Sequence, residues 1–360
     1  MEELALDIKI EKTSKSNLDQ VDFDNIPFGK IFSDHMFLAD YKDGKWQDLR
    51  IVPYGEFSMN PALSAIHYGQ SIFEGLKAFR NRQNQEEVLI FRPQDNAARL
   101  NASAKRMCMP ELPENIFMEG LHKLIELDKG WVPNTEGSSL YIRPFMFAAD
   151  AFLGLKPSDT YTFAIITSPV GIYYSNPVKV KIEKEYSRTC HGGTGYAKVA
   201  GNYAASMYPA KLAQAEGYDQ LLWTDAAEHK YIEESGTMNV MFQINDTIVT
   251  APTMPEEDTI LRSITRLSVL ELLSDWGVKV EERKIPVQEI VDATKDGSLK
   301  EAFGTGTAVT IAPISHIGND GELLEIAEVE GEKLSTKIKQ HLQGMQMGEV
   351  EDNKGWIYRI

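Results

Sequence analysis

His191–Ser206 reads HGGTGYAKVAGNYAAS. Gly192, Gly193 and Gly195 lead into Lys198; Gly201, Asn202 and Tyr203 follow, and then an alanine-rich helical pattern begins. Glycines let a backbone turn tightly or approach a ligand closely. A lysine beside such a run can be held with its amine in a pocket. A desolvated lysine amine can lose its proton near neutral pH and attack a carbonyl carbon. Two readings stand at this point. Lys198 is either the nucleophile towards an aldehyde cofactor or a solvated charge beside an ordinary turn.

Outward from this stretch the chain divides. Upstream, Val178–Glu183 (VKVKIE) alternates as a half-buried strand does. The residues before it, VGIYYSNP at 170–177, have no clear period and read as a linker. This places a smaller N-terminal domain at 1–169 and a larger one at 178–360. Downstream, Ala204–Glu216 reads as a helix despite Pro209, and Leu221–Thr224 as a strand. Glu233-Glu234-Ser235-Gly236 reads as a turn before the strand Asn239–Ile244, which Thr247–Ala251 pairs with through Asn245-Asp246. Arg262–Trp276 has the most regular helical period, with Ile264, Leu267, Leu270, Leu273 and Trp276 apolar and Gly277 as its stop. Val278–Arg283 is a strand, Val287–Asp296 a short helix, Ala302–Pro313 strand material around a Gly/Thr turn, and Glu332–Gly344 a charged helix.

The first domain reads as α+β, with hairpins and segregated helices. Ala5–Ile10 is an edge strand or an arm. Strands on either side of Asp43-Gly44 form a hairpin. His67–Arg80 is a helical turn feeding a strand, and Val88–Arg92 is a strand. Asp95–Met107 is a helix that Asp95 can cap, and Met118–Gly130 is another. Ser139–Met146 and Tyr161–Ser168 are strands.

Composition narrows the function classes. Of 360 residues 42% are hydrophobic and 25% charged, which suits a globular protein with a normal core. The formal net charge of −16 argues against nucleic-acid and anionic-membrane partners, which want a basic face. No stretch approaches a membrane span, and the N-terminus has no signal-peptide pattern, so a cytoplasmic protein is expected. Cys108 and Cys190 form no CxxC and are expected to be reduced thiols; no metal site is expected.

Pyridoxal-phosphate chemistry needs an amine, an anion against the pyridine nitrogen, a phosphate cradle and a carboxylate site. Candidates exist for each. Lys198 is the amine. Glu234 offers an anion, though a turn acid is commonly just exposed. Ser263-Ile264-Thr265 opens a helix, whose N–H groups suit a phosphate or simply an N-cap. Arg99 lies on a helix, and Gly306-Thr307-Ala308 offers a turn with small residues and a hydroxyl.

With these stretches in view, the chain resembles the branched-chain amino-acid aminotransferases, which are fold-type IV pyridoxal-phosphate enzymes. The motifs PFGKIFSDHM, HYGQSIFEGLKAFR, FRPQDNAARL, SLYIRPF, SPVGIYYSN, KVAGNYAAS, IEESGTMNVMF, ILRSITR and GTGTAV carry it, from about Phe28 to Pro313. The resemblance implies a mixed α+β fold of two domains, the larger with a strand-rich, barrel-like core. It implies Lys198 as Schiff-base lysine and proton shuttle, Tyr203 at the cofactor's phenolic oxygen and Glu234 at its ring nitrogen. Arg99, Ile264, Thr265 and Thr307 are implied for the phosphate, and Thr307 and Ala308 for the substrate α-carboxylate. Phe28, Tyr68, Phe73, Tyr141 and Tyr173 are implied as the aromatic wall, and Arg143 as the group that accepts glutamate's distal carboxylate. The implied reaction is ping-pong transamination between leucine, isoleucine or valine and 2-oxoglutarate, by a homodimer.

Two departures stand out. Mammalian members carry a CxxC where this chain has Val309-Thr310-Ile311-Ala312, so thiol switching is not expected there. Arg262-Ser263 replaces the usual Pro-Gly or Asn-Gly, and Arg262 either adds charge near the phosphate or faces solvent. The same-fold alternative is a D-amino-acid aminotransferase or aminodeoxychorismate lyase, against which the aromatic set and YIRP argue. The alternative from another class is a non-catalytic dinucleotide- or phosphate-binding module, but Gly193–Lys198 is neither a full GxGxxG nor a Walker pattern.

Overall fold

The computed structural model describes residues 6–253, 259–329 and 331–360. Part of the expected Ala5–Ile10 strand therefore lies outside the described residues. Two compact units are present. The first comprises the chain up to Tyr173 with Lys198–Ala200 and Gly344–Ile360, and the second Tyr174–Ala197 with Gly201–Gln343.

The first unit is built on one sheet. Its strands are β1 (Lys9–Ile10), β2 (His35–Lys42), β3 (Lys45–Pro53), β4 (Ser71–Phe73), β5 (Leu76–Arg80), β6 (Val88–Phe91), β7 (Ser139–Ala148) and β8 (Tyr161–Val170). The order runs β1-β3-β2-β8-β7-β5-β6, and the C-terminal strand Ile357–Arg359 adds antiparallel to β6. The hairpin β2–β3 turns at Asp43 and Gly44, both at positive φ, as a two-residue turn of this type requires. Helix α1 (Ser64–Tyr68) ends on left-handed Gly69. Helices α2 (Pro93–Arg106) and α3 (Glu114–Leu127) contribute Leu100, Phe117, Leu121 and Leu124 to a core shared with Phe37, Leu89 and Phe163. Asp95 is not the cap of α2. The helix begins at Pro93, whose fixed φ suits a first helical position, and Asp95 instead accepts from Arg92 Nε at 2.6 Å.

β7 presents two different faces. Leu140, Ile142, Pro144, Met146 and Ala148 are buried, while Tyr141, Arg143, Phe145 and Phe147 between them are half-buried. Side chains alternate across a strand, so one face fills the core and the other carries an aromatic and cationic row.

The second unit contains β9 (Val178–Ile182), β10 (Gln220–Thr224), β11 (Tyr231–Ser235), β12 (Met238–Ile244), β13 (Thr247–Thr250), β14 (Lys279–Glu282), β15 (Ile285–Pro286), β16 (Leu299–Gly306), β17 (Thr310–Asn319) and β18 (Glu322–Glu325). Pairing runs β12-β16-β17-β9-β10-β11, and β11 pairs back to β12. These six strands close a ring, which leaves no free edge among them. Val180, Leu222, Val240, Phe242, Ile314 and Ile317 are buried in one apolar cluster there. Around it lie α4 (Ala200–Ala215), with Pro209 in its interior, α5 (Ile264–Asp275), α6 (Val287–Lys295) and α7 (Leu334–Gln346).

The expected turn at Glu233–Gly236 is corrected. Tyr231–Ser235 is strand, and the reversal falls at Gly236-Thr237. EESG has turn composition, yet both faces of β11 are covered and residues 232–235 are all buried. Tertiary context overrides local propensity here.

Candidate functional site

In the first unit the structure brings Phe28, Phe73, Tyr141, Arg143, Tyr173 and Lys198 together. Lys198 is pinned through its backbone. Its N–H donates to Ser103 Oγ at 2.9 Å, and its carbonyl accepts from Phe73 N at 3.1 Å. Val199 bridges Ile72 of β4. The Lys198 amine sits 4.8 Å from the Phe73 ring centre. Phe28 meets Tyr141 and Tyr173 edge-on, with ring centres 5.4 and 5.0 Å away. Burial pushes the Tyr173 phenol above its ordinary range, with a smaller push from Tyr141, so its hydroxyl stays neutral.

Arg143 Nη2 donates to the Tyr141 hydroxyl at 2.9 Å, and its guanidinium lies over Phe73 and Tyr141. Arg143 Nε is buried with no hydrogen-bond partner among the described residues. A buried donor left unmade costs free energy, so this arginine is suited to an acceptor that arrives with a ligand. Gly75 permits the arrangement, because a Cβ there would collide with the Tyr141 hydroxyl. The Tyr68 ring meets that of His67, with ring centres 6.2 Å apart. Tyr68 is 41% exposed, and its hydroxyl donates to the Leu153 carbonyl.

Arg99 projects from α2. Its Nε and Nη2 meet Glu74 Oε1 and Oε2 at 2.7 and 2.8 Å, a two-pronged pair. Glu74 is fully buried and also accepts from Asn96 Nδ2 at 2.7 Å. A fork held this way has one orientation. Sequence reasoning gave Glu74 no role. A lone charge inside the apolar run SIFEGL was its signal.

In the second unit Glu234, Asn239 and Thr305 lie opposite one another on β11, β12 and β16. Residues directly opposite share a sheet face, so they form a polar row. Glu234 is 3% exposed and meets Arg188 Nε at 2.5 Å. Asn239 joins this row to the start of α5. Its Nδ2 reaches Glu234 Oε2 at 3.2 Å and the Leu261 carbonyl at 3.0 Å, and its Oδ1 accepts from Ser263 N at 3.2 Å. The buried hydroxyls of Ser235 and Thr305 have no partner among the described residues. Ser263 caps α5 by accepting from Arg266 N, so Ile264 and Thr265 occupy the first turn, where backbone N–H groups and the helix dipole favour an anion. Arg262 is exposed. Thr307 and Ala308 form the half-buried turn between β16 and β17. Thr310, which follows, has φ 60°, a strained value for a β-branched residue.

Tyr203 is half-buried on α4, one residue after Asn202. Asn202 braces the glycine loop: its Nδ2 donates to the Thr194 and Ala197 carbonyls at 2.8 and 3.0 Å. Beside Glu234, Glu233 is pushed up to about 7, mainly by burial and then by the charge of Glu234; the Thr259 hydroxyl, which donates to it, and Arg188 act the other way.

The family model for Amino-transferase class IV matches residues 71–317. The chain belongs to this family. A class IV relative, branched-chain-amino-acid aminotransferase 2 of Bacillus subtilis, is 47% identical over 357 residues, covering 98% of this chain and 97% of that one. The crystal structure of the branched-chain aminotransferase of Thermoproteus uzoniensis with norvaline matches with a TM-score of 0.73 at 25% identity, over 90% of this chain and 99% of the other. That of the Escherichia coli branched-chain amino acid aminotransferase matches with a TM-score of 0.72 at 24% identity, over 90% and 98%. The latter shares the fold. The mixed α+β class and the barrel-like core expected from the sequence agree with class IV architecture. Among the described residues no helix is long and apolar enough to cross a membrane.

Proposed function

We infer that the protein is a branched-chain amino-acid aminotransferase. It moves the amino group of leucine, isoleucine or valine to 2-oxoglutarate in two half-reactions. The near full-length relative of that name carries this reading. Pyridoxal phosphate, when bound, supplies the electron sink that makes the α-proton acidic. The donors within each unit suit its chemistry: a braced arginine and a pinned lysine in the first, a buried carboxylate at Glu234 and a capped helix start in the second.

Lys198 Nζ would hold the cofactor's aldehyde end and carry the α-proton. Glu234 would stand at the cofactor's ring nitrogen and favour its protonated form, and Tyr203 would stand at the phenolic oxygen. Arg99, Ile264, Thr265 and Thr307 hold the phosphate. Thr307 and Ala308 hold the substrate α-carboxylate. Phe28, Tyr68, Phe73, Tyr141 and Tyr173 pack the aliphatic side chain, whose burial is worth about 25 cal/mol per Å². Arg143 takes the distal carboxylate of glutamate. We also take the working form to be a cytoplasmic homodimer; the exposed Phe152, Leu153 and Leu155, at 46, 62 and 85%, support a second copy.

Purified protein should convert L-leucine with 2-oxoglutarate and leave D-alanine untouched. Lys198→Ala should abolish both turnover and the yellow, borohydride-sensitive absorbance. Turnover of D-alanine in preference to L-leucine would refute the substrate assignment, and substantial activity in Lys198→Ala would refute the role of the lysine.

A further inference from the structure

Arg188 lies in the coil between β9 and α4 and is 7% exposed. Its guanidinium reaches three separate segments. Nε meets Glu234 Oε1 of β11 at 2.5 Å, Nη1 donates to the Thr259 carbonyl at 2.8 Å, and Nη2 donates to the Gly195 carbonyl at 3.3 Å. The last two partners are themselves packed together: a Cβ at Gly195 would collide with the Thr259 carbonyl. The planar fork is thus held on one side by the glycine loop and residue 259, and on the other grips a carboxylate.

The neighbouring acid explains why a cation is needed there. Glu233 and Glu234 are 9 and 3% exposed and adjacent in the chain, with Asp225 also acting on Glu233. The charge of Glu234 acts on Glu233 through the strand, so ionising both buried carboxylates is costly. Arg188 contacts Glu234, whereas Glu233 accepts the hydroxyl proton of Thr259. The Arg188 contact therefore favours the ionised form of Glu234, while burial favours the neutral form of Glu233, a separation of acid roles by environment.

Building on the role given to Glu234 above, we propose that Arg188 is a positioning residue that fixes Glu234 as an ionised acceptor. It thereby sets how strongly the protein distinguishes a protonated ring nitrogen from a ring carbon. Lysine in its place keeps a charge but loses the three-way fork.

The test is ligand discrimination by the full-length apo-protein, followed by quenching of tryptophan fluorescence. The probes are pyridoxamine 5'-phosphate and its 1-deaza analogue, which has C–H in place of the ring nitrogen. The native protein should prefer the first by about tenfold or more, the value of a charged hydrogen bond. In Arg188→Gln that ratio should fall towards one, and Arg188→Lys should lie between. If Arg188→Gln weakens both probes equally, or neither, the proposal is overturned. Should Arg188→Gln fail to fold, Arg188→Lys alone decides: an unchanged ratio overturns the proposal. Glu234→Gln is the control for the underlying reading. If it keeps the native ratio, Glu234 does not face the ring nitrogen, and both assignments fall. If it abolishes the preference while the arginine variants retain it, only the Arg188 proposal fails.

Discussion

Replacing Glu233 with glutamine should flatten the pH dependence of stability. The carboxyl is pushed from its ordinary 4.5 up to about 7, chiefly because it is buried. Between those values the folded protein holds a proton that the unfolded chain has released. Stability therefore falls as pH rises through this window, and the full cost is present above pH 7. A displacement of this size corresponds to roughly 3 kcal/mol. Glutamine stays neutral throughout, and its side-chain oxygen still accepts from the Thr259 hydroxyl. Relative to the native protein, Glu233→Gln should gain on the order of 2–3 kcal/mol of stability between pH 4.5 and pH 8.5. Calorimetric melting of the apo-protein across that range measures it, as a gap of a few degrees that opens with rising pH. Parallel melting curves for the two proteins at every pH would show that Glu233 is already ionised or is well solvated, and the reasoning would fail.

Other outcomes follow from the first unit. Arg143→Met should raise KM for 2-oxoglutarate by roughly 10–100-fold, the cost of one carboxylate–arginine contact, while KM for leucine changes little; equal effects on both substrates would remove Arg143 from the distal carboxylate. Gly75→Ala should raise KM for leucine, because the new Cβ displaces the Tyr141 ring. Adding Tyr141→Phe should restore part of that loss by removing the hydroxyl in the way. A double variant worse than Gly75→Ala alone would contradict the steric account.

Much of the architecture can be read from local patterns. Asp43-Gly44 between two apolar runs specifies the β2–β3 hairpin, and the threes and fours of Ile264 to Trp276 specify α5. These signals succeed because turn chemistry and the helical repeat act over a few residues, even though α5 buries Arg266 and Ser268 more deeply than Leu267 and Leu270. The failures share a cause as well. EESG has the composition of a turn, and only the ring of strands makes Tyr231–Ser235 a buried strand. Asp95 has the chemistry of a cap, but Pro93 starts the helix two residues earlier. The candidate site shows the same limit. Lys198, Glu234 and Arg99 are legible as members of separated motifs. Arg188 is one arginine in a polar coil, and nothing local marks it as the partner of an acid 46 positions away. Asn239 likewise reads as a strand residue until its side chain is seen joining Glu234 to Ser263. Charges that act through another residue leave no period and no composition.

The alternation of β7 has an evolutionary corollary. Its odd-numbered residues, Tyr141, Arg143, Phe145 and Phe147, form the half-buried row, and its even-numbered residues are core. On the proposed reading, selection for a new amino donor acts on Tyr141 and Arg143, whereas Phe145 also packs against the Met36, Leu38 and Ala164 cluster. The intervening residues belong to the core and are intolerant of change. The same frame makes insertions hazardous: one extra residue ahead of Tyr141 would exchange the two sets at a stroke. Drift in substrate preference along this strand should thus proceed by substitution, and length changes should be confined to the connections at its ends.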